Sequence, residues 1–117
     1  MIVGVVSDDD TPIVALELAG RKWSAIVDTG FNGDFELPEA LRAFLPHECM
    51  GRTISTLAGG QSIEEDSYLV DIPFDGEIVS AEVTFAPGDQ ILIGTRLLLR
   101  HRLEVDFPER TVTIERV

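Results

Sequence analysis

Ala25-Ile26-Val27-Asp28-Thr29-Gly30 is the stretch on which the fold turns. Three apolar residues lead straight into an acid, a hydroxyl and a glycine, so Asp28 stands at the edge of a core rather than on a solvated face. A carboxylate so placed needs compensation. Taken alone, Asp-Thr-Gly is an ordinary turn in which the aspartate caps the N–H of Gly30. What lies on either side of it decides between the two readings.

Upstream, Ile13 to Leu18 and Trp23 to Val27 are β-prone runs around Ala19-Gly20, and they predict a hairpin. Downstream, Asn32-Gly33 is a second turn, followed by the short extended piece Phe35-Glu36-Leu37. Pro38 suits the first position of a helix and Glu39 its positive end; the spacing of Leu41, Phe44 and Leu45 predicts a short helix over 38–45, ended by Pro46. Thr53 to Leu57 and Ile63 to Pro73 read as strands around Gly59-Gly60, and Asp75-Gly76 is a strong hairpin signal. Ile91-Leu92-Ile93 is a continuous apolar run, the mark of a strand buried on both faces, with Gly94 directly after it. Thr95 to Arg102 reads as a second short helix. Leu103, Val105 and Phe107 alternate with acids, Pro108-Glu109-Arg110 turns the chain, and Thr111 to Val117 is a last strand. Trp23 and Phe44 are expected in the core, Cys49 as a small hydrophobe at least half buried, and His47 and His101 at the surface.

Composition narrows the function. The 117 residues make one domain, residues 1–117, with no repeat or linker. Nine Lys plus Arg against 21 Asp plus Glu give a net charge of -12, which repels phosphate backbones and anionic headgroups. Nucleic acid and membrane are therefore poor partners. One cysteine and two histidines assemble neither a disulfide nor a Cys/His metal cluster, so no metal or cofactor is expected. The opening MIVGVV is short, lacks a basic flank and runs into Asp8, Asp9 and Asp10, so it reads as no signal peptide. With no run near the roughly 20 apolar residues of a membrane span, and a free thiol, a cytoplasmic location is expected.

Over nearly its whole length the sequence resembles the retropepsin-like aspartic proteases of the small, single-domain bacterial type. Ala25 to Gly30 with Phe31-Asn32-Gly33 and Leu37-Pro38 is similar to their catalytic loop. Ile91-Leu92-Ile93-Gly94 with Thr95 to Arg102 is similar to the element and helix that pass beneath it. Leu103 to Phe107 with Thr111 to Glu115 is similar to their closing strands. The resemblance implies a mainly β fold, the closed β-barrel of the acid proteases with one or two short helices. It implies an aspartic endopeptidase in which two carboxylates share one proton and activate water. Asp28 is the catalytic acid it names, Thr29 contributes a hydroxyl that holds the two loops together, and Gly30 permits close backbone approach. Since Asp-Thr-Gly occurs once, the dyad implies a homodimer, and the strand Thr111 to Val117 is expected to offer a pairing edge. The flap over a peptide or protein substrate falls at Ser55 to Gln61, with Thr56, Leu57, Ala58, Gly59 and Gly60 as its substrate-binding residues and the two glycines at its tip.

Two rival readings stand beside this one: a non-catalytic dimerisation or peptide-binding module that kept the fold, and a purely structural β-domain. The intact Asp28-Thr29-Gly30 favours the enzyme, because a binder has no chemical reason to keep an ionisable group beside a core. Asp8-Asp9-Asp10 and Glu64-Glu65-Asp66 read as solvated segments. Asp106 lacks a following Thr-Gly, and no Gly-x-Ser-x-Gly elbow is present.

Overall fold

A computed structural model describes residues 1–56 and 58–117, with the backbone alone at 53 and 55. In chain order the strands are β1 (Ile2–Val6), β2 (Pro12–Leu18), β3 (Arg21–Val27), β4 (Phe35–Pro38), β5 (Glu48–Thr56), β6 (Ser62–Phe74), β7 (Glu77–Ala86), β8 (Ile91–Ile93), β9 (His101–Asp106) and β10 (Thr111–Arg116). They hydrogen-bond into one sheet in the order β5-β6-β7-β4-β8-β3-β2-β1-β10-β9. The fold is mainly β, as the turn spacing implies.

The ladder has two ends, β5 and β9, and it folds over so that β2 packs against β6, far from it in the order. The residues enclosed between these layers are the alternate apolar positions of each strand: Val14 and Leu16, Ala25 and Val27, Phe35 and Leu37, Ile72 and Phe74, Ile91 and Ile93. Period-two alternation is what lets a sheet bury one face and leave the other to solvent or ligand.

Both tight hairpins form where expected. Ala19 and Gly20 have φ of 52° and 74°, and Asp75 and Gly76 have 51° and 80°, the paired positive values of a two-residue turn matched to strand twist. The first expected helix is a 3₁₀ helix over Glu39–Phe44, with Leu41 buried. Phe44, expected in the core, is instead exposed at 72%: it is the last residue of this helix, and the chain turns extended at Leu45, which packs against the core instead. Trp23 is half buried against the core, and Cys49 is exposed rather than buried.

The second expected helix does not form. Residues 95–100 are successive turns, with Leu98 N–H donating to the Thr95 carbonyl at 3.0 Å and His101 N–H to that of Leu98 at 2.9 Å. Strand pairing overrides local propensity here: His101 and Arg102 are taken into β9 opposite Arg116 and Glu115, and the six residues left make fewer than two α-helical turns. His101 is half buried rather than on the surface. Its two ring nitrogens are buried without a hydrogen bond, and its ring meets the edge of Phe74 at 5.5 Å.

Two further differences concern the chain ends. Residues 2–6, unassigned by pattern, form β1 between β2 and β10. That insertion makes β10 an interior strand, paired to β1 on one side and β9 on the other, so the free edge is β9 and not Thr111 to Val117.

Ala19 holds a left-handed backbone without the glycine or asparagine that such a site favours. Ala19→Asn should raise stability by about 1 kcal/mol. The check is a higher urea midpoint at unchanged slope.

Candidate active site

Asp28 follows β3 immediately. Its N–H donates to the Ile93 carbonyl at 2.9 Å, and its own carbonyl accepts from Phe31 N–H at 3.1 Å. Its Oδ1 accepts the Gly30 N–H at 2.9 Å, so the turn chemistry of Asp-Thr-Gly is realised. Its Oδ2 has no hydrogen bond among the described residues. Asp28 is half buried, whereas Thr29 and Gly30 are exposed. The Thr29 hydroxyl likewise has no partner among the described residues.

The loop is held from below by the residues after β8. Gly94 N–H donates to the Asp34 carbonyl at 3.0 Å, Thr95 N–H to that of Phe31 at 2.8 Å, and Arg96 N–H to that of Gly33 at 3.3 Å. The Thr95 hydroxyl adds a bond to the Phe31 carbonyl at 3.3 Å. Gly94 is the closest point: a Cβ there would lie 2.0 Å from the Gly33 oxygen and 2.8 Å from the Phe31 ring. Only a residue without a side chain fits.

Facing this loop is the β5–β6 hairpin. Thr56 ends β5, and it and the turn residues Ala58, Gly59 and Gly60 are exposed, with Gly60 at φ 80°; Leu57 lies outside the described residues. A cleft of about 260 Å³ runs between loop residues 30–34 and Ile54 and Thr56 of β5, walled by Val83 and Thr84. Of the residues expected at the site, Gly30 and Thr56 line the cleft. Asp28 and Thr29 adjoin it through Gly30, and the hairpin tip lies beyond Thr56.

The sequence reading missed an ion network beside the cleft. Asp34 is buried and accepts the Glu82 N–H at 2.9 Å through Oδ2. Arg96 joins the two acids, Nη1 donating to Glu82 Oε2 at 2.8 Å while Nε lies 4.0 Å from Asp34 Oδ1. Also missed was Glu36, half buried on β4 between Phe35 and Leu37, both of which point into the core. Burial first, then the charges of Glu65 and Asp28, push its carboxyl above the usual range. Alternation in Phe35-Glu36-Leu37 was the available signal: with both neighbours in the core, Glu36 must face the other way.

Among solved structures the chain is similar to a retropepsin-like aspartic protease from Rickettsia conorii, with a TM-score of 0.64 and 17% identity, covering 97% of this chain and 88% of that one. The chain has the retropepsin-like fold. A second likeness is to the foamy viral protease-reverse transcriptase in complex with RNA/DNA hybrid, with a TM-score of 0.55, 24% identity and 70% of this chain covered. The match spans 10% of that much longer viral chain. No family model and no curated protein matches the sequence. At these identities the likeness is one of fold. Within the retropepsin-like fold the described residues include no helix long and apolar enough to cross a membrane.

Two outcomes are expected. Gly94→Ala forces the Gly33 carbonyl aside and should cost about 3 kcal/mol in urea unfolding. Glu36 gives a pH effect of defined sign. Its folded-state pKa lies above the ordinary 4.5, so ionisation costs stability as pH rises through the folded-state value, and no cost remains below the unfolded value. Glu36→Gln should therefore raise the melting temperature at neutral pH, with the gain vanishing on acidification. Parallel melts of both proteins from pH 3 to 8 test this.

Proposed function

We propose that this chain is an aspartic endopeptidase that acts as a homodimer, with Asp28 and Asp28 of the partner subunit sharing one proton. The observation that carries the reading is a retropepsin-like fold whose single Asp28-Thr29-Gly30 loop is clamped from beneath, exposed above, and set beside a cleft under a two-stranded hairpin. The same reading takes the folded-over sheet as the closed barrel of the acid proteases.

A lone Asp28 is half a catalyst. Peptide hydrolysis needs one carboxylate to take a proton from water while a second, protonated, donates to the carbonyl oxygen; like charges about 3 Å apart settle into that singly protonated state. Pairing on a two-fold axis supplies both groups from one sequence. The water oxygen then bonds to the carbonyl carbon, and the C–N bond breaks as the amine takes a proton back from the dyad. In each loop the free Oδ2 faces the reaction and Oδ1 stays tied to Gly30 N–H. The unpartnered Thr29 hydroxyls bond across the axis and hold the loops together. An extended peptide lies in the cleft, its backbone paired by the hairpin bearing Thr56 to Gly60.

Asp28→Asn keeps shape and removes the titratable group. The variant should fold and pair but lose peptide hydrolysis, and in mixed populations with exchanging subunits, activity should fall as the square of the wild-type fraction. A linear fall, with exchange verified, means each chain carries a whole site and removes the shared dyad. Peptide binding by a wild type that hydrolyses nothing would mark a binding module instead.

A further inference from the structure

We infer that Glu36 forms a subsite beside Asp28 that takes a cationic side chain, lysine or arginine, of an extended peptide. This inference rests on the proposed peptidase reading and names the substrate class of that same site.

Strand register places the residue. Glu36 of β4 is opposite Leu92 of β8, and Leu92 is opposite Ile26 of β3. On its other side Glu36 pairs with Thr84 of β7, a residue of the cleft wall. Partners across a sheet share a face, so Ile26, Leu92, Glu36 and Thr84 form a row on the face opposite the core. Asp28 comes two residues after Ile26 and continues on that face. Glu36 thus lies two strands from β3, about 10 Å at the spacing of paired strands. The half-buried state of Ile26, Leu92 and Glu36 contrasts with the near-complete burial of their sequence neighbours Ala25, Val27, Ile91, Ile93, Phe35 and Leu37.

The chemistry of the row selects the ligand. Ile26 and Leu92 offer an apolar path from the Asp28 loop, and Glu36 ends it with a carboxylate. A lysine or arginine side chain has that same order, an aliphatic stem and a charged head. Among the described residues Glu36 has neither an ion pair nor a hydrogen bond. The charges acting on it are anionic, Glu65 from the hairpin and Asp28 from the loop. Arg96, the cation at the cleft, is committed to Glu82 and Asp34. A substrate cation would therefore supply what the chain withholds, while an acidic side chain at this position would meet only like charge.

The test uses the full chain and a synthetic mixture of random-sequence peptides, with cleavage sites read by mass spectrometry for wild type, Glu36→Gln, Glu36→Lys and Asp28→Asn. Wild type should enrich Lys and Arg about tenfold at one position within a few residues of the scissile bond. Glu36→Gln should abolish that enrichment, and Glu36→Lys should replace it with Asp and Glu. Should Glu36→Lys fail to fold in a thermal melt, the isosteric Glu36→Gln decides. For it, kcat/KM on paired peptides carrying lysine or neutral norleucine at that position should converge. Cleavage that depends on Asp28 but shows the same profile in wild type and Glu36→Gln overturns the inference and leaves the peptidase reading intact. Absence of wild-type cleavage, or its survival in Asp28→Asn, overturns the peptidase reading itself and this subsite with it.

Discussion

The contact between Gly94 and the Gly33 carbonyl is the constraint on which the site depends. Two stretches some sixty residues apart in sequence meet there with no room for a methyl group, since a Cβ on Gly94 would sit 2.0 Å from the Gly33 oxygen. Backbone groups on both sides of the contact are then close enough to bond, and Gly94, Thr95 and Arg96 each donate an N–H to the loop that follows Asp28. A loop without regular structure acquires the rigidity of a sheet. Side chains carried on such a loop are positioned nearly as firmly as on a strand.

β8 extends the same logic into the sheet. It is three residues long, yet it pairs parallel with β3 and antiparallel with β4, so it joins the strand that delivers Asp28 to the strand that carries Glu36. Ile91 and Ile93 fasten it to the core, and Leu92, half buried, faces the other way. The apolar run read as a strand buried on both faces is thus buried fully on one face and half buried on the other.

What the sequence disclosed follows the range of the forces involved. Turns set by two residues were legible, because Ala19-Gly20 and Asp75-Gly76 encode their positive φ locally. Strands with strict alternation were legible for the same reason, and so was the Asp28 turn, in which the aspartate caps the Gly30 N–H. Failures came where a distant partner decides. Residues 95–102 have helical periodicity, but β10 claims the last two for β9. Residues 2–6 carry a strand signal in four β-branched residues around Gly4, but nothing local supplies the partners between which they insert, β2 and β10. Asp34, Glu82 and Arg96 lie on three separate segments, and nothing in one sequence couples them before the loop is clamped.

The charge pattern of the cleft has a consistent physical sense. Burial and the neighbouring acids Glu65 and Asp28 push the Glu36 carboxyl above its usual range, and among the described cleft-lining residues the guanidinium, Arg96, is spent on Asp34 and Glu82 at the far wall. Had Arg96 reached Glu36 instead, the loop would lose the ion pairs that brace Asp34, and the row leading from Asp28 would end in a neutral pair. Bracing the loop with the available cation therefore leaves Glu36 uncompensated. The ion pairs of Asp34 and Glu82 and the uncompensated charge of Glu36 are two consequences of where Arg96 is placed.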